Sequence, residues 1–456
     1  MRIKARALTL IETLRTSFWF VPSCMLLGAV VLAKTLIELD RNEVFHNITL
    51  LKFVYESNSD TIVSLLTTLA GSMITVTSIV FSITVLSLSM ASQQFGPRLI
   101  RHFMADNGTK MVMGTFLATF IYCILVVEVT DEFESRQQVP GMAVYVAVLL
   151  SLASIGVLIF YIHHVARTIQ ADQVISDVHR RLDNTINRLF PSDDDQAQGV
   201  DCDASVINEA KAKYPCVTHI YASESGYVQA IDYGGLKQIA CSLDACIVVS
   251  HLPGNYLVKG AKLLTLHHFA VKASLDHARF EENIVIGSQR TPAQDPEFAV
   301  HQLVEIAVRA LSPGVNDPYS AIACVDNLSA MMCELTQKTF PYPYLVDDDR
   351  VFRVERKPLT FADIGHAAFD QIRQYAKDSV AVTIRLIEGL SHITDSVNSI
   401  QQKTFIQEQL ASIEQAQKSQ DNADCDKEDI FSRIEAVRRK LRALRALDNN
   451  AVSVGR

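Results

Sequence analysis

The sequence has cysteines but no cysteine pairs. None of its nine (Cys24, Cys123, Cys202, Cys216, Cys241, Cys246, Cys324, Cys333, Cys425) stands in a C-x-x-C spacing, which removes the usual thiolate frameworks of zinc and dithiol redox sites. They read as buried, reduced thiols. A Walker loop, a nucleophile elbow and a dinucleotide fingerprint are also missing, so no cofactor and no catalytic residue is assigned. Excess positive charge is absent too: Lys and Arg number 42 against 50 Asp and Glu, a formal net charge of -8. Without a broad basic surface, nucleic acid is excluded as a partner. Finally, "MRIKARALTLIETLRTSFWF" lacks a small-residue cleavage site after its apolar run and reads as a retained helix, not a removed leader.

What is abundant is apolar residues. The 456 residues are 49% hydrophobic and 20% charged, with mean hydropathy +0.16. That is too apolar for an ordinary soluble protein and too charged for a purely intramembrane one. Four apolar segments, 17–39, 62–91, 111–130 and 142–164, each reach the roughly 20 residues needed to cross a bilayer. Arg2, Lys4, Arg6 and Arg15 precede the first; Arg98, Arg101 and Lys110 separate the second from the third; Arg167, Arg180 and Arg181 follow the fourth. The other two loops are acid-rich. The positive-inside rule then puts both termini in the cytosol. Lys34 and Glu38, one turn apart in the first segment, are spaced for an ion pair.

The second segment includes "TTLAGSMITVTSIVFSITVLSLSMAS", uncharged but rich in hydroxyls. Ser64, Thr68, Gly71, Ser72, Thr75, Ser78, Ser82 and Ser89 fall along one helical stripe, away from Ile74, Phe81, Val85 and Leu88. Two uses fit such a stripe. Small residues let helices approach closely and hydroxyls bond between them, or hydroxyls line a watery path and replace part of an ion's hydration. The following stretch, 97–107, has Leu99, Ile100, Phe103 and Met104 opposed to Arg98, Arg101 and His102. Pro97 suits its first turn and Gly108 its C-terminal cap, as an amphipathic helix with arginines on the inner leaflet.

Beyond the membrane domain (1–164), a cytosolic helical extension (165–191) carries an apolar seam of Ile175, Val178, Leu182, Ile186 and Leu189 until Pro191. It is either a straight stalk or a helix packed on its own domain. A polar linker (192–213) opens with "SDDDQAQG". From 214 to 294, short alternating runs separated by turn signals at Ser225-Gly226, Gly234-Gly235, Pro253-Gly254 and Gly260 predict a small β domain. "SGYVQAID" and "PGNYLVKGAKLLTL" resemble the biotinyl/lipoyl-like barrel-sandwich modules, without a Met-Lys carrier hairpin. A helical bundle (295–448) and a disordered tail (449–456) complete the chain. In the bundle, Val300, Leu303, Val304, Ala307 and Leu311 form one apolar face and Ile322, Val325, Leu328 and Met332 another. Between them, in Ser312, Pro313, Gly314, Asn316, Asp317 and Pro318, Gly314 would close one helix while Asp317 caps the next and Pro318 fills its first turn. Thr360 and Asp363 are spaced as a capping box. The fold class is therefore an α-helical membrane protein with four transmembrane helices, plus a cytosolic α+β part.

His301, Glu305 and Arg309 repeat at one-turn intervals. A His and a Glu so placed reach a common metal or serve as acid and base, but two ligands fall short of a metal site and a Glu–Arg ion pair is the ordinary use. "QQFGPRLIRHF", "VHQLVEIAVRALSPGVNDPYSA" and the four-helix half together resemble the bacterial predicted-membrane-protein family catalogued as domain of unknown function 2254. The resemblance spans most of the chain and implies an inner-membrane location in the lipid bilayer. Three functions are expected in order: a homo-oligomeric channel for an unidentified small ion, lined by the stripe, with the cytosolic part as vestibule or gate; an anchored sensor or scaffold whose β module binds a ligand or partner; and a membrane-bound enzyme using His301, Glu305 and Asp317.

Overall fold

The structure, a computed structural model, describes residues 17–42, 59–96, 104, 106–134, 140–168, 170–190, 199–200, 204–269 and 277–454. Two compact units divide the chain, Met1–Gln173 and Val174–Arg456.

The first unit is helical: α1 (Phe20–Arg41), α2 (Ser59–Phe95), α3 (Asn107–Glu134) and α4 (Gly141–Thr168). All four are long and apolar enough to cross a membrane. The helix α2 has 37 residues, about 55 Å at 1.5 Å per residue, well beyond the ~30 Å of hydrocarbon. Packed against the other three, α3 is the most enclosed, with 44% of its span buried against 22% for α2. Lipid offers no hydrophobic drive between helices, so this packing rests on close approach and polar bonds. At Gly114 of α3 an added Cβ would lie 2.5 Å from Met25 Sδ and 3.2 Å from Pro22 Cα of α1. Tyr161 of α4 donates to the Val80 carbonyl of α2 at 3.0 Å and shares a hydrogen bond with Thr84 at 2.8 Å.

Three expectations change here. Gly108 does not cap an interfacial helix; it lies in the first turn of α3, where an added Cβ would be 2.7 Å from His164 Nε2. The glycine therefore serves a close approach, not a helix end. Glu38 pairs with Arg41 at 3.4 Å and not with Lys34. The fourth helix is not assigned as continuous with the extension: α4 is assigned to Thr168, Gln170 is non-helical and α5 spans Ala171–Leu189. Arg98 and Arg101 of the interfacial stretch, the basic residues before Ser17, and 43–58 and 135–139 of the two acid-rich loops lie outside the described residues.

The second unit starts with α5, whose seam Ile175, Val178, Leu182 and Ile186 is buried. It is fastened to its own unit, not free as a stalk: Arg188 donates to the Pro292 and Ala293 carbonyls and Lys338 to Asn187 at 2.7 Å. Next come β1 (Gly199–Val200), α6 (Ala204–Ala212), β2 (Cys216–Tyr221), β3 (Gly226–Ile231), α7 (Tyr233–Leu243), β4 (Cys246–Val249), β5 (Tyr256–Leu257), β6 (Lys262–His268), α8 (His277–Glu281) and β7 (Ile284–Gly287). They continue as α9 (Pro296–Ala310), α10 (Pro318–Leu335), β8 (Tyr344–Val346), β9 (Phe352–Arg356), α11 (Phe361–Tyr375), α12 (Val380–Ser396), α13 (Ile400–Lys418) and α14 (Asp424–Val454).

The strands make a six-stranded sheet, β1-β8-β9-β4-β6-β2, and a three-stranded one, β5-β3-β7. Ile220, Val228, Leu257, Leu264, Leu266, Ile284 and Val354 from both sheets share one core. Among the described residues only β4 and β9 run parallel, with Ile247 opposite Val354. The sheet thus draws β8 and β9 from the stretch read as purely helical, because runs as short as "FRVER" carry too little period to separate strand from loop. Gly234-Gly235, read as a turn, opens α7: Asp232 accepts from Gly235 N at 3.0 Å, and Leu236, Ile239 and Ala240 bury at helical spacing. Within the stretch read as linker, Ala204–Ala212 form α6, and α14 continues to Val454, into the stretch read as tail.

Candidate functional site

The stripe on α2 runs along most of that helix. Ser64, Thr68, Gly71, Ser72, Thr75, Ser78, Ser82 and Ser89 are all exposed. At 100° per residue they lie opposite Ile62, Leu66, Ala70, Met73, Thr77 and Val80, which are buried. The hydroxyls do not reach another helix. Thr68 donates to the Ser64 carbonyl at 2.7 Å, Ser72 to Thr68 at 2.8 Å, Thr75 to Gly71 at 2.8 Å and Ser82 to Ser78 at 2.9 Å. Ser78 does the same to Ile74 at 3.0 Å. In these five residues the hydroxyl proton is turned back onto the helix, so the oxygen lone pairs are the outward groups.

Two carboxylates hold the helix ends. Asp40 of α1, buried, accepts from the backbone N–H of Met142 at 3.2 Å and of Ala143 at 2.9 Å, at the N-terminus of α4. Asp106 accepts from Gly108 N at 3.2 Å, Thr109 N at 2.9 Å and the Thr109 hydroxyl at 2.8 Å. His164 Nε2 of α4 lies 2.8 Å from the same carboxylate. Burial alone would raise the Asp106 pKa, but the Thr109 N–H and then the His164 contact outweigh it and hold it below the ordinary value. Negative charge at the positive end of a helix is favourable in itself. Neither contact was legible in sequence, since the partners stand 103 and 58 residues apart.

In the second unit the signature turn is a helix–turn–helix joint. The helix α9 ends at Ala310, with Leu311 as its cap residue, and Ser312 Oγ donates to the Arg309 carbonyl at 2.6 Å. Asp317 caps α10, accepting from Ser320 N at 3.1 Å, and Pro318 occupies the first position. Gly314 is not the helix stop; the left-handed residue is Asn316, φ 50°, a conformation Asn tolerates better than most residues. Ser312 and Pro313 precede it in the turn.

Arg309 Nε approaches Glu305 at 3.6 Å, and His301, one turn earlier, is partly buried. Among the described residues no three His, Cys, Asp or Glu side chains are grouped to hold a metal ion. Ahead of α9, Arg290 clasps Asp295 with Nε at 2.7 Å and Nη2 at 2.8 Å while Asp295 caps Phe298 N at 3.0 Å. Burial, then the Asp295 charge, raises the Glu297 carboxyl beside them. An added Cβ at Gly254, φ 96°, would stand 2.3 Å from Asp295 Oδ2, so this cluster seats the β4–β5 loop.

Four apolar spans joined to a sheet-and-helix unit define a polytopic membrane protein. More narrowly, the chain belongs to the family described as predicted membrane protein (DUF2254), whose model matches residues 15–392. It is similar to uncharacterized proteins of Mycobacterium bovis and Mycobacterium tuberculosis, 29% identical over 375 residues, covering 80% of this chain and 70% of each relative. No solved structure matches the chain.

Proposed function

We propose that the protein is a homo-oligomeric channel of the bacterial inner membrane, both termini cytosolic, in which the α2 stripes of several copies surround a path for small ions. The observation that carries this reading is the exposure of the whole stripe, from Ser64 to Ser89, on the side of α2 opposite its packed face. A single protomer leaves that face for lipid, water or another copy. Oxygens whose protons are committed to the helix offer acceptors outward, which suits a cation exchanging hydration for hydroxyl ligands. Basic residues flanking the spans support the orientation, Lys110 and Arg167 included. In the cytosolic part, the two sheets around one core, with positive-φ Gly254 and Gly260 before β5 and β6, are in keeping with a barrel-sandwich-type module.

The test is planar-bilayer recording from purified protein. Wild type should give unitary currents, and Ser72→Leu or Ser82→Leu should reduce conductance. Silence from pure protein, or currents indifferent to both substitutions, ends this reading.

A further inference from the structure

The second unit contains a cavity of about 200 Å³, whose walls come from Phe190 beyond α5, Tyr233 at the start of α7, Pro253, Pro296 and Leu359, with Arg356 and Lys357 supplying charge. Among the described residues no carboxylate lines it. The one other polar side chain on its wall, Gln294, is spent on the backbone of Ile231, accepting at 2.9 Å and donating at 3.2 Å.

Arg356 differs from its neighbours in what it lacks. Arg290, Arg353, Arg385, Arg433 and Arg438 all meet Asp or Glu within hydrogen-bond distance. Arg356 donates Nε to the Tyr342 carbonyl and sits 5.5 Å from the Tyr233 ring centroid; among the described residues its Nη groups meet no acidic partner. Burial lowers its pKa, as expected of a cation withdrawn from water without a compensating anion. Burial likewise pushes Tyr233 up to about 12, so its ring faces the site un-ionised. This half-buried guanidinium has only neutral partners in the recess, and an incoming anion would supply the charged one it lacks.

We propose that this cavity binds a small organic carboxylate with a flat apolar body, its carboxylate paired with the Nη groups of Arg356 and its body against Tyr233 and Phe190. The planar fork of arginine matches a carboxylate. A polyphosphate fits poorly: it needs a nest of backbone N–H groups or several cations. The helix end at the wall presents Pro296, which has no N–H to give. The volume lies under the ~300–1,000 Å³ of drug-sized sites, which limits the body to about one ring or a branched chain. This site is independent of conduction through α2 and stands or falls on its own test.

The test is calorimetric titration of the full chain in detergent with benzoate, phenylacetate and 3-methylbutanoate, their neutral amides, and phenyl phosphate. At least one carboxylate should bind at least about tenfold more tightly than its amide. Arg356→Met should lose that binding while its apo melting temperature stays level or rises, because the substitution removes a half-buried charge that has no acidic partner among the described residues. No binding by any carboxylate, equal binding by the amides, tighter binding by phenyl phosphate, or a marked fall in the melting temperature of Arg356→Met would each overturn the proposal. Asp193→Asn/Asp194→Asn/Asp195→Asn should bind unchanged. Marked tightening there would make the chain's own acidic run the occupant and overturn it as well.

Discussion

The Asp40 carboxylate accepts the backbone N–H of Ala143 at 2.9 Å and of Met142 at 3.2 Å, so the last turn of α1 caps the first turn of α4. A buried charge is tolerated there because it meets two orphan helix donors and the positive end of the helix together. Asp106 does the corresponding work at the start of α3, with His164 of α4 as its further partner. The four-helix unit is thus pinned at both carboxylates by contacts between helices distant in sequence.

Asp40→Ala should destabilise the membrane unit by about 1–3 kcal/mol, from the lost cap and the charge-assisted bonds. Asp40→Asn keeps an acceptor oxygen but loses the charge and should cost less. Thermal unfolding of the two variants in detergent, compared with wild type, checks the order. If Asp40→Ala melts with wild type, the cap contributes nothing.

The Asp106 carboxyl is held below its usual 3.8 in the fold, against its burial, by the Thr109 N–H and His164. A depressed carboxyl contributes stability that is fully present above its unfolded pKa and disappears as pH falls through the folded one. Melting temperature measured downward from about pH 6 should therefore fall more steeply in wild type than in Asp106→Asn. Parallel curves would remove Asp106 from the acid limb.

How much of this was readable beforehand depends on the range of each contact. The spans, the seam of α5, the cap Asp317 and the capping box of Thr360 with Asp363 rest on spacings within a few residues, and sequence shows those directly. Gly108 misled because a glycine near a helix end has two explanations, a cap or a close approach, and only the position of His164 decides. Asn316 took the left-handed position expected of Gly314 because the helix had already ended at Ala310. Strand β9 escaped because pairing Ile247 with Val354 joins segments about a hundred residues apart. For the same reason the cavity at Arg356 has no local signature: its walls come from six separate stretches of chain.

Close helix packing in the second unit gives a sharp stability test. At Gly389 of α12 an added Cβ would lie 2.2 Å from Ser329 Oγ of α10, and at Gly365 of α11 it would lie 2.4 Å from Phe405 Cζ of α13. Gly→Ala ordinarily favours a helix by roughly 0.5–1 kcal/mol; here both substitutions should destabilise, by about 1–3 kcal/mol of overpacking. Ser329→Ala should relieve part of the penalty of Gly389→Ala, since it removes the atom in the way. Urea or thermal denaturation of the double variant against the singles measures that coupling.

The two faces of α2 can be separated by size alone. Ala70 is buried and Ser72, two residues on, is exposed. Leucine at position 70 must push into the packing around α3, so Ala70→Leu should cost about 1–3 kcal/mol in the protomer. Position 72 is exposed, and Ser72→Leu should leave protomer stability within about 0.5 kcal/mol. If copies meet across the stripe, Ser72→Leu will instead shift the assembly measured by native mass spectrometry or light scattering, or alter its conductance, where Ala70→Leu weakens the fold itself. A Ser72→Leu protein unchanged in fold, assembly and current would mean that the stripe faces lipid, with its hydroxyl protons turned inward for that reason.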